Sequence, residues 1–234
     1  MTLDAILPLF ALPDVLALAL LVASWAVLGV WIESSRTKKP SVTVLMASYR
    51  REWMRQFVTR SPRIYDASVL GSLRQSTNFL ASATMIALGG LLALIGNSDR
   101  LIGVAEDLTL ATQNTRVIEA KLLLVGIILA HAFLKFLWSN RLFGYAAVIM
   151  SAVPNDPDDP LCIPRAAQAA EINIRAALNF NRGLRATYFA LAALAWLIGP
   201  WGLVVSVSAV VYTIGWREFA STSRNLLLHP PPPQ

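Results

Sequence analysis

Apolar residues are concentrated in four long blocks, separated by stretches rich in charged side chains. The blocks cover 13–32, 76–96, 117–138 and 184–216. Each of the first three is long enough for one helix to cross a hydrocarbon core of about 30 Å, whereas the last, at roughly 50 Å as one helix, exceeds a single crossing. The pattern predicts an all-α fold: a polytopic membrane helix bundle.

The last block contains an interruption at Gly199-Pro200. Glycine suits a helix C-terminus and proline suits the first position of the next helix. We therefore favour a tight hairpin of two helices over 184–198 and 200–216. One kinked helix is the alternative, because proline is tolerated inside transmembrane helices. The chain is expected to have four to five transmembrane helices in a single membrane domain over 1–229, followed by a proline-rich disordered tail over 230–234.

Composition agrees with this interpretation and limits the chemistry. Of 234 residues, 56% are hydrophobic and 15% charged, which is outside the usual balance of a soluble domain. The single cysteine, Cys162, cannot form an internal disulfide, and one thiol is too few for a structural zinc or iron–sulfur site. We expect no metal and no cofactor.

The basic residues lie mostly on one side of the predicted topology. Nine of the 20 Lys and Arg residues fall in 33–75 and six in 135–185, but the connection between the second and third spans holds only Arg100, Arg116 and Lys121. The positive-inside rule places the two basic connections in the cytoplasm and the N-terminus outside. With the hairpin, 17 basic residues lie inside and three outside; the kinked helix gives 15 and five.

The segment 41–60 has the pattern of a basic amphipathic helix. Arginines occupy much of one side, and the other side carries apolar residues at helical spacing: Val42, Leu45, Met46, Tyr49, Trp53 and Phe57. Such a helix is expected to lie in the headgroup plane, either as an anchor or as a docking surface for anionic cytoplasmic lipids or a partner protein. Nucleic acid is disfavoured, because membrane-seeking aromatics separate the basic residues.

The second basic connection, 139–183, is predicted to be cytoplasmic. Its acidic turn over 154–160 lacks the length and the central glycine of a calcium-binding loop, so we interpret it as a solvated loop. The alanine-rich stretch from Arg165 to Phe180 is predicted to be a helix.

Polar residues inside predicted spans are the candidate interior sites. Arg74, Asn78 and Ser82 follow one another at i, i+4 and i+8, a row that could face the bundle interior. His131 and Lys135 share one helix face. We interpret the α-helical row and His131 as partners in interhelical hydrogen bonds, and Lys135 as a side chain that snorkels to the interface. A polar transport path is the alternative interpretation.

No catalytic motif emerges from the sequence. It contains no phosphate-binding glycine loop, no GxSxG elbow, no HExxH and no histidine–cysteine ligand set. The preferred function class is a non-enzymatic accessory, scaffold or lipid-associated protein. A homo-oligomer or a larger membrane complex is compatible with this class. A small transporter or channel with a polar path near Asn78, Ser82 and His131 is the alternative, and a lipid-modifying enzyme ranks last.

The chain resembles an uncharacterised bacterial and plant membrane family, domain-of-unknown-function family five-nine-nine. Five groups of residues carry the resemblance: Trp53-Met54 with Arg60 and 62–66; 73–82; Lys135-Phe136 with Trp138-Ser139 and Arg141; 181–185 with Tyr188-Phe189; and 217–219. The resemblance implies a multispan membrane protein, here in a bacterial inner membrane, and no catalytic residues.

Several charged residues of these groups fall at the cytoplasmic boundary of the predicted topology. They are Arg63, Asp66, Arg74, Arg182 and Arg185. We expect Asp66 to pair with one of these arginines, forming a structural knot or a site for an anionic headgroup.

Overall fold

The computed structural model describes residues 10–36, 38–97 and 115–229. The described residues form helices and include no strand. The helices are α1 (Leu12–Glu33), α2 (Val42–Thr59), α3 (Ile64–Ile95), α4 (Thr115–Ser151), α5 (Cys162–Leu194), α6 (Pro200–Phe219) and α7 (Thr222–Leu228), with one 3-10 turn at Ala195–Leu197. The predicted tail, 230–234, and Arg100 lie outside the described residues.

Four segments are long and apolar enough to cross a membrane: α1, α3, α4 and Pro200–Leu228, which comprises α6 and α7. Large apolar side chains on these helices are exposed, Ile86 and Trp201 each to 75%. An apolar helix face without a protein neighbour is typical of contact with lipid. The predicted all-α membrane fold is confirmed. A crossing by the apolar end of α5, which would be the fifth, stays a prediction.

Two helices extend well beyond the predicted spans. Helix α3 begins at Ile64 instead of residue 76, and α4 continues to Ser151 instead of residue 138. Each extension is about 12 residues, or roughly 18 Å of helix. Hydropathy marks where the apolar stretch ends, but polar residues continue a helix readily, so the backbone stays helical beyond that point. Likewise, the predicted 165–180 helix and the apolar stretch after it form the single helix α5.

The last apolar block is a hairpin. Gly199 has a φ of 136°, which favours glycine, and α6 begins at the next residue, Pro200. The Ser206 hydroxyl donates to the Ala192 carbonyl oxygen at 2.8 Å. Fourteen residues of continuous helix would separate these groups by about 21 Å, so the bond requires a reversal of the chain. The kinked-helix alternative is therefore wrong.

Close packing and one buried lysine hold the hairpin. A Cβ on Gly202 would lie 2.5 Å from the Ala195 carbonyl oxygen, so this approach requires glycine. Lys121, which is 4% exposed, donates from Nζ to the Trp196 carbonyl oxygen at 2.9 Å. The Trp196 indole N–H donates to Asp14 at 2.7 Å. Lys121 thus supplies a positive charge and a hydrogen bond at a helix C-terminus, where both are favourable.

The chain divides into two compact units. Unit 1 comprises 1–31, 83–132 and 184–216; unit 2 comprises 32–82, 133–183 and 217–234. Unit 1 holds the hairpin and much of the apolar span sequence. Unit 2 holds α2, α7 and sixteen of the 20 Lys and Arg residues.

The core of unit 2 covers the apolar side of α2. Met54, Phe57 and Val58 are buried in one cluster with residues of α3, α4 and α5 and of the connection between α4 and α5, among them Leu70, Leu142, Phe143, Met150, Val153, Ala166 and Ala170. Trp53 packs against the same cluster. The expectation that Phe57 lies in the headgroup plane is wrong, since helical periodicity identifies an apolar face without identifying what covers it. Met46 and Tyr49 remain exposed.

Candidate functional site

Helix α2 is joined near its N-terminus to two other helices by the Glu218 cluster, which consists of Thr43, Asn181 and Glu218. The backbone N–H and the hydroxyl of Thr43 donate to the two carboxylate oxygens of Glu218, at 3.0 and 3.1 Å. The Asn181 side-chain amide donates to the Thr43 hydroxyl at 3.3 Å. Glu218 is 7% exposed. A carboxylate is favourable at a helix N-terminus, because the first-turn N–H groups lack partners within the helix and carry partial positive charge.

The other end of α2 is joined to α3 by the Asp66 cluster, which consists of Trp53, Arg60 and Asp66. The Trp53 indole N–H donates to Asp66 Oδ1 at 2.6 Å, and the Arg60 guanidinium donates to the same oxygen. Asp66 is fully buried, and its Oδ2 has no hydrogen-bond partner within the part of the chain that the structure describes. A buried carboxylate is stable when a cation and hydrogen bonds compensate for its lost hydration.

The prediction that Asp66 pairs with Arg63, Arg74, Arg182 or Arg185 is wrong, because its partner is Arg60. Arg63 instead donates to the backbone carbonyl oxygens of Val153 at 2.9 Å and Pro154 at 2.8 Å, so it fastens the connection after α4 to the start of α3. Its guanidinium also lies over the Phe57 ring, 4.4 Å from the centroid.

The remaining arginines of that hypothesis lie elsewhere. Arg182 forms a two-pronged ion pair with Glu33, with Nε 2.9 Å from Oε1, and this hydrogen bonding raises the pKa of Arg182. Arg185 is buried and belongs to unit 1. Arg74 is exposed on α3. The predicted single knot of charges is therefore replaced by separate contacts.

The polar row on α3 does not face the interior of the chain. Arg74, Asn78 and Ser82 are all exposed, whereas Thr77 and Ala81, on the adjacent face, are buried. The expectation that the row faces the bundle interior is therefore wrong. Spacing places the three residues on one face, but the rotation of α3 about its axis decides where that face points.

The two candidate residues of α4 lie in different units. In unit 1, the His131 ring contacts the Trp25 ring edge-on, with 5.3 Å between centroids. Such a contact is typical of a packed side chain. Lys135 is half-buried in unit 2. Among the described residues, no three His, Cys, Asp or Glu side chains form a group that could hold a metal ion.

A cavity of about 270 Å³ lies in unit 2 beside the Glu218 cluster. Five helices contribute to its wall. Most lining side chains are apolar, including Leu73, Phe143, Ile174, Leu178 and Phe180, and the polar ones are Thr43, Arg50, Ser76, Thr77, Asn181, Arg217 and Glu218. An apolar pocket with a few convergent polar groups is the usual form of a ligand site, although this one lies just below the usual range of about 300–1,000 Å³.

Arg50 distinguishes this cavity, and sequence reasoning missed it as a site residue. Its guanidinium donates to Asn173 Oδ1. No carboxylate oxygen of the described residues lies within 4.0 Å of it. Burial lowers the pKa of Arg50 below its ordinary value. The sequence shows Arg50 beside Arg51 and offers no signal that one is enclosed and the other exposed.

The protein-family comparison matches residues 16–223 to the family described as "Protein of unknown function, DUF599". The chain belongs to DUF599. No curated protein and no solved structure matches the chain. The family resemblance predicted from the sequence is therefore confirmed, and membership adds no activity.

Several residues that carried the DUF599 resemblance make structural contacts. The whole Asp66 cluster comes from the first group, and Asn181 and Glu218 come from the fourth and fifth. Gly183 also has a physical reason, since a Cβ there would lie 2.7 Å from Cε1 of Phe136. In this DUF599 chain the matching segments thus join the helices of unit 2.

Proposed function

We propose that this protein is a non-enzymatic, lipid-associated component of a bacterial inner membrane, with its N-terminus outside and unit 2 at the cytoplasmic leaflet. Positive charge on the surface of unit 2 is the observation that carries the proposal. Nine Lys and Arg side chains are exposed there: Arg36, Lys38, Lys39, Arg51, Arg55, Arg74, Arg141, Arg175 and Arg217. Basic groups near anionic lipid contribute about 1 kcal/mol each.

Basic residues outnumber acidic ones in unit 2, sixteen to eight, although Arg55 forms an ion pair with Glu52. Exposed acids are concentrated at Asp156 and Asp158 in the turn after α4, and Glu171 forms an exposed pair with Arg51. The buried carboxylates Asp66 and Glu218 each accept two hydrogen bonds that fix α2. These two acids therefore support a structural role more than an acid–base role.

A transport path along Asn78 and Ser82 is not proposed, because both side chains are exposed on α3. A polar path within one chain would need such groups in its interior.

The proposal is tested by counting anionic lipids. The full chain is reconstituted in nanodiscs of mixed phosphatidylglycerol and phosphatidylcholine, and the lipids retained on release are counted by native mass spectrometry. Replacing Arg36, Lys38 and Arg175 with Gln removes three exposed charges. We expect the preference for phosphatidylglycerol to fall by about fivefold per removed charge.

A matched control removes exposed acidic charge from the same unit. The double variant Asp156→Asn, Asp158→Asn keeps the size of both side chains and should not lower the preference for phosphatidylglycerol. Equal retention of both lipids by the unmodified chain, or no loss in the triple variant, would contradict the proposal.

A further inference from the structure

Arg50 is a cation in the cavity wall, and no carboxylate of the described residues pairs with it. The guanidinium carries five N–H donors, and Asn173 Oδ1 is its partner in the described part of the chain. Asn173 is fully buried and does not line the cavity, so a ligand there would contact Arg50 and not Asn173.

An anion is the ligand that would bond to Arg50. Guanidinium N–H groups only donate, so their partner must supply oxygen acceptors and negative charge. Glu218 lines the same cavity but does not supply them, since its two oxygens accept from Thr43.

The rest of the wall favours a ligand with an apolar part. Leu73, Phe143, Ile174, Leu178 and Phe180 contribute side chains to the cavity. A bare hydrated anion would leave this apolar surface in contact with water, whereas a hydrocarbon chain would gain about 25 cal/mol for each Å² that it removes from water.

We propose that this cavity binds one anionic amphiphile, a single hydrocarbon chain bearing a phosphate or carboxylate group, with the anionic group on Arg50 and the chain against Leu73, Phe143 and Leu178. The inference deepens the proposed lipid association by naming a specific site and ligand class. It differs from the surface contact above, since of those nine exposed basic residues only Arg217 also lines the cavity, and Arg36, Lys38 and Arg175 do not.

The experiment is a titration of the purified full chain, held in a bulky neutral detergent, with octyl phosphate and separately with octanoate. Isothermal calorimetry should show one site per chain for at least one of the two, which identifies the headgroup. Inorganic phosphate and octanol, each offering half of the chemistry, should bind at least tenfold more weakly. Equal affinity for inorganic phosphate or for octanol would overturn the proposal.

Two variants locate the site. Arg50→Gln removes the charge, and we expect about a ten- to hundredfold loss of affinity, as for one charge-assisted hydrogen bond. Ala47→Leu keeps Arg50 and adds bulk to the cavity wall, so it should also weaken binding. It provides an independent test if Arg50→Gln fails to fold. Unchanged affinity in the folded variants would place the ligand elsewhere and overturn the proposal.

The triple variant Arg36→Gln, Lys38→Gln, Arg175→Gln separates the two proposals. It should lose its preference for phosphatidylglycerol in nanodiscs and bind octyl phosphate with the affinity of the unmodified chain. Loss of octyl phosphate binding in this variant would show surface attraction and overturn the cavity site. If the triple variant retains its preference for phosphatidylglycerol while Arg50→Gln loses octyl phosphate binding, the proposed function is overturned and the cavity site is not.

Discussion

In the described part of unit 1, five side chains are charged, and the buried Lys121 is directed at the end of a helix. Unit 2 contains sixteen Lys and Arg residues and buries the carboxylates of Asp66 and Glu218 between helices. In unit 1, burial of apolar surface accompanies a few polar contacts at helix ends. In unit 2, ion pairs and hydrogen bonds join helices that also share an apolar core. The two units should therefore respond differently to the loss of a polar contact.

The largest effect is expected from Asp66→Ala in unit 2. The substitution leaves the Trp53 N–H without its acceptor and removes the ion pair to Arg60, whose side chain is 36% exposed. Losing a hydrogen bond to a charged group and leaving a donor unsatisfied together cost about 3 kcal/mol. The measurement is the unfolding midpoint in a denaturing-detergent titration, followed by the helical circular dichroism signal. Asp66→Asn, which keeps one acceptor oxygen, should lose less stability than Asp66→Ala. A change in Asp66→Ala below about 0.5 kcal/mol would contradict the role of buried pairs in unit 2.

Gly183→Ala sharpens the comparison by testing packing within unit 2. The added Cβ would lie 2.7 Å from the Phe136 ring, and overpacking of this kind costs about 1–3 kcal/mol. Gly144→Ala is the matched control, since a Cβ there meets no atom within 4 Å. The control should be neutral or stabilising by up to about 1 kcal/mol, because alanine is the better helix former. Equal effects of the two substitutions in the same unfolding titration would be inconsistent with this packing.

A smaller effect is expected from Lys121→Leu in unit 1. The variant loses the hydrogen bond to the Trp196 carbonyl oxygen but keeps an apolar side chain. Polar contacts between transmembrane helices contribute about 0.6 kcal/mol on average, so we expect a loss of about that size. The unfolding titration measures it. A loss as large as that of Asp66→Ala would remove the difference between the units.

The smallest effect is expected from Arg51→Gln on the surface of unit 2. Arg51 Nε lies 2.6 Å from Glu171 Oε1, but both side chains are 52% exposed. Exposed pairs contribute about 0–1 kcal/mol, less at high salt. Unfolding at low and high salt should show little difference between variant and unmodified chain. A loss above about 2 kcal/mol would mean that surface charge, and not burial, dominates unit 2.

Hydropathy and helix-end residues predicted unit 1 well. The apolar blocks, the break at Gly199-Pro200 and the all-helical class all follow from effects that act along the chain, namely helix length, glycine conformation and proline geometry. These effects need no knowledge of neighbours.

The contacts of unit 2 could not be predicted in the same way. Asp66 takes Arg60 and not the four arginines considered, Arg50 is enclosed while Arg51 is exposed, and the face of α3 with Asn78 points outward. Each outcome depends on the rotation and register of one helix against another. A single sequence specifies the periodicity of a face but not its partner.

The bond between Thr43 and Glu218 also bears on the order in which the protein can be completed. These residues are 175 positions apart, so the ribosome makes α2 long before Glu218, which binds the N-terminus of α2, has been translated. Until the end of α6 emerges, α2 lacks that anchor, and its core residues Met54 and Phe57 await helices that are translated later. Long-range closure of this kind delays assembly and exposes apolar surface meanwhile. A chain truncated before residue 217 should accordingly engage chaperones or membrane proteases for longer than the complete one.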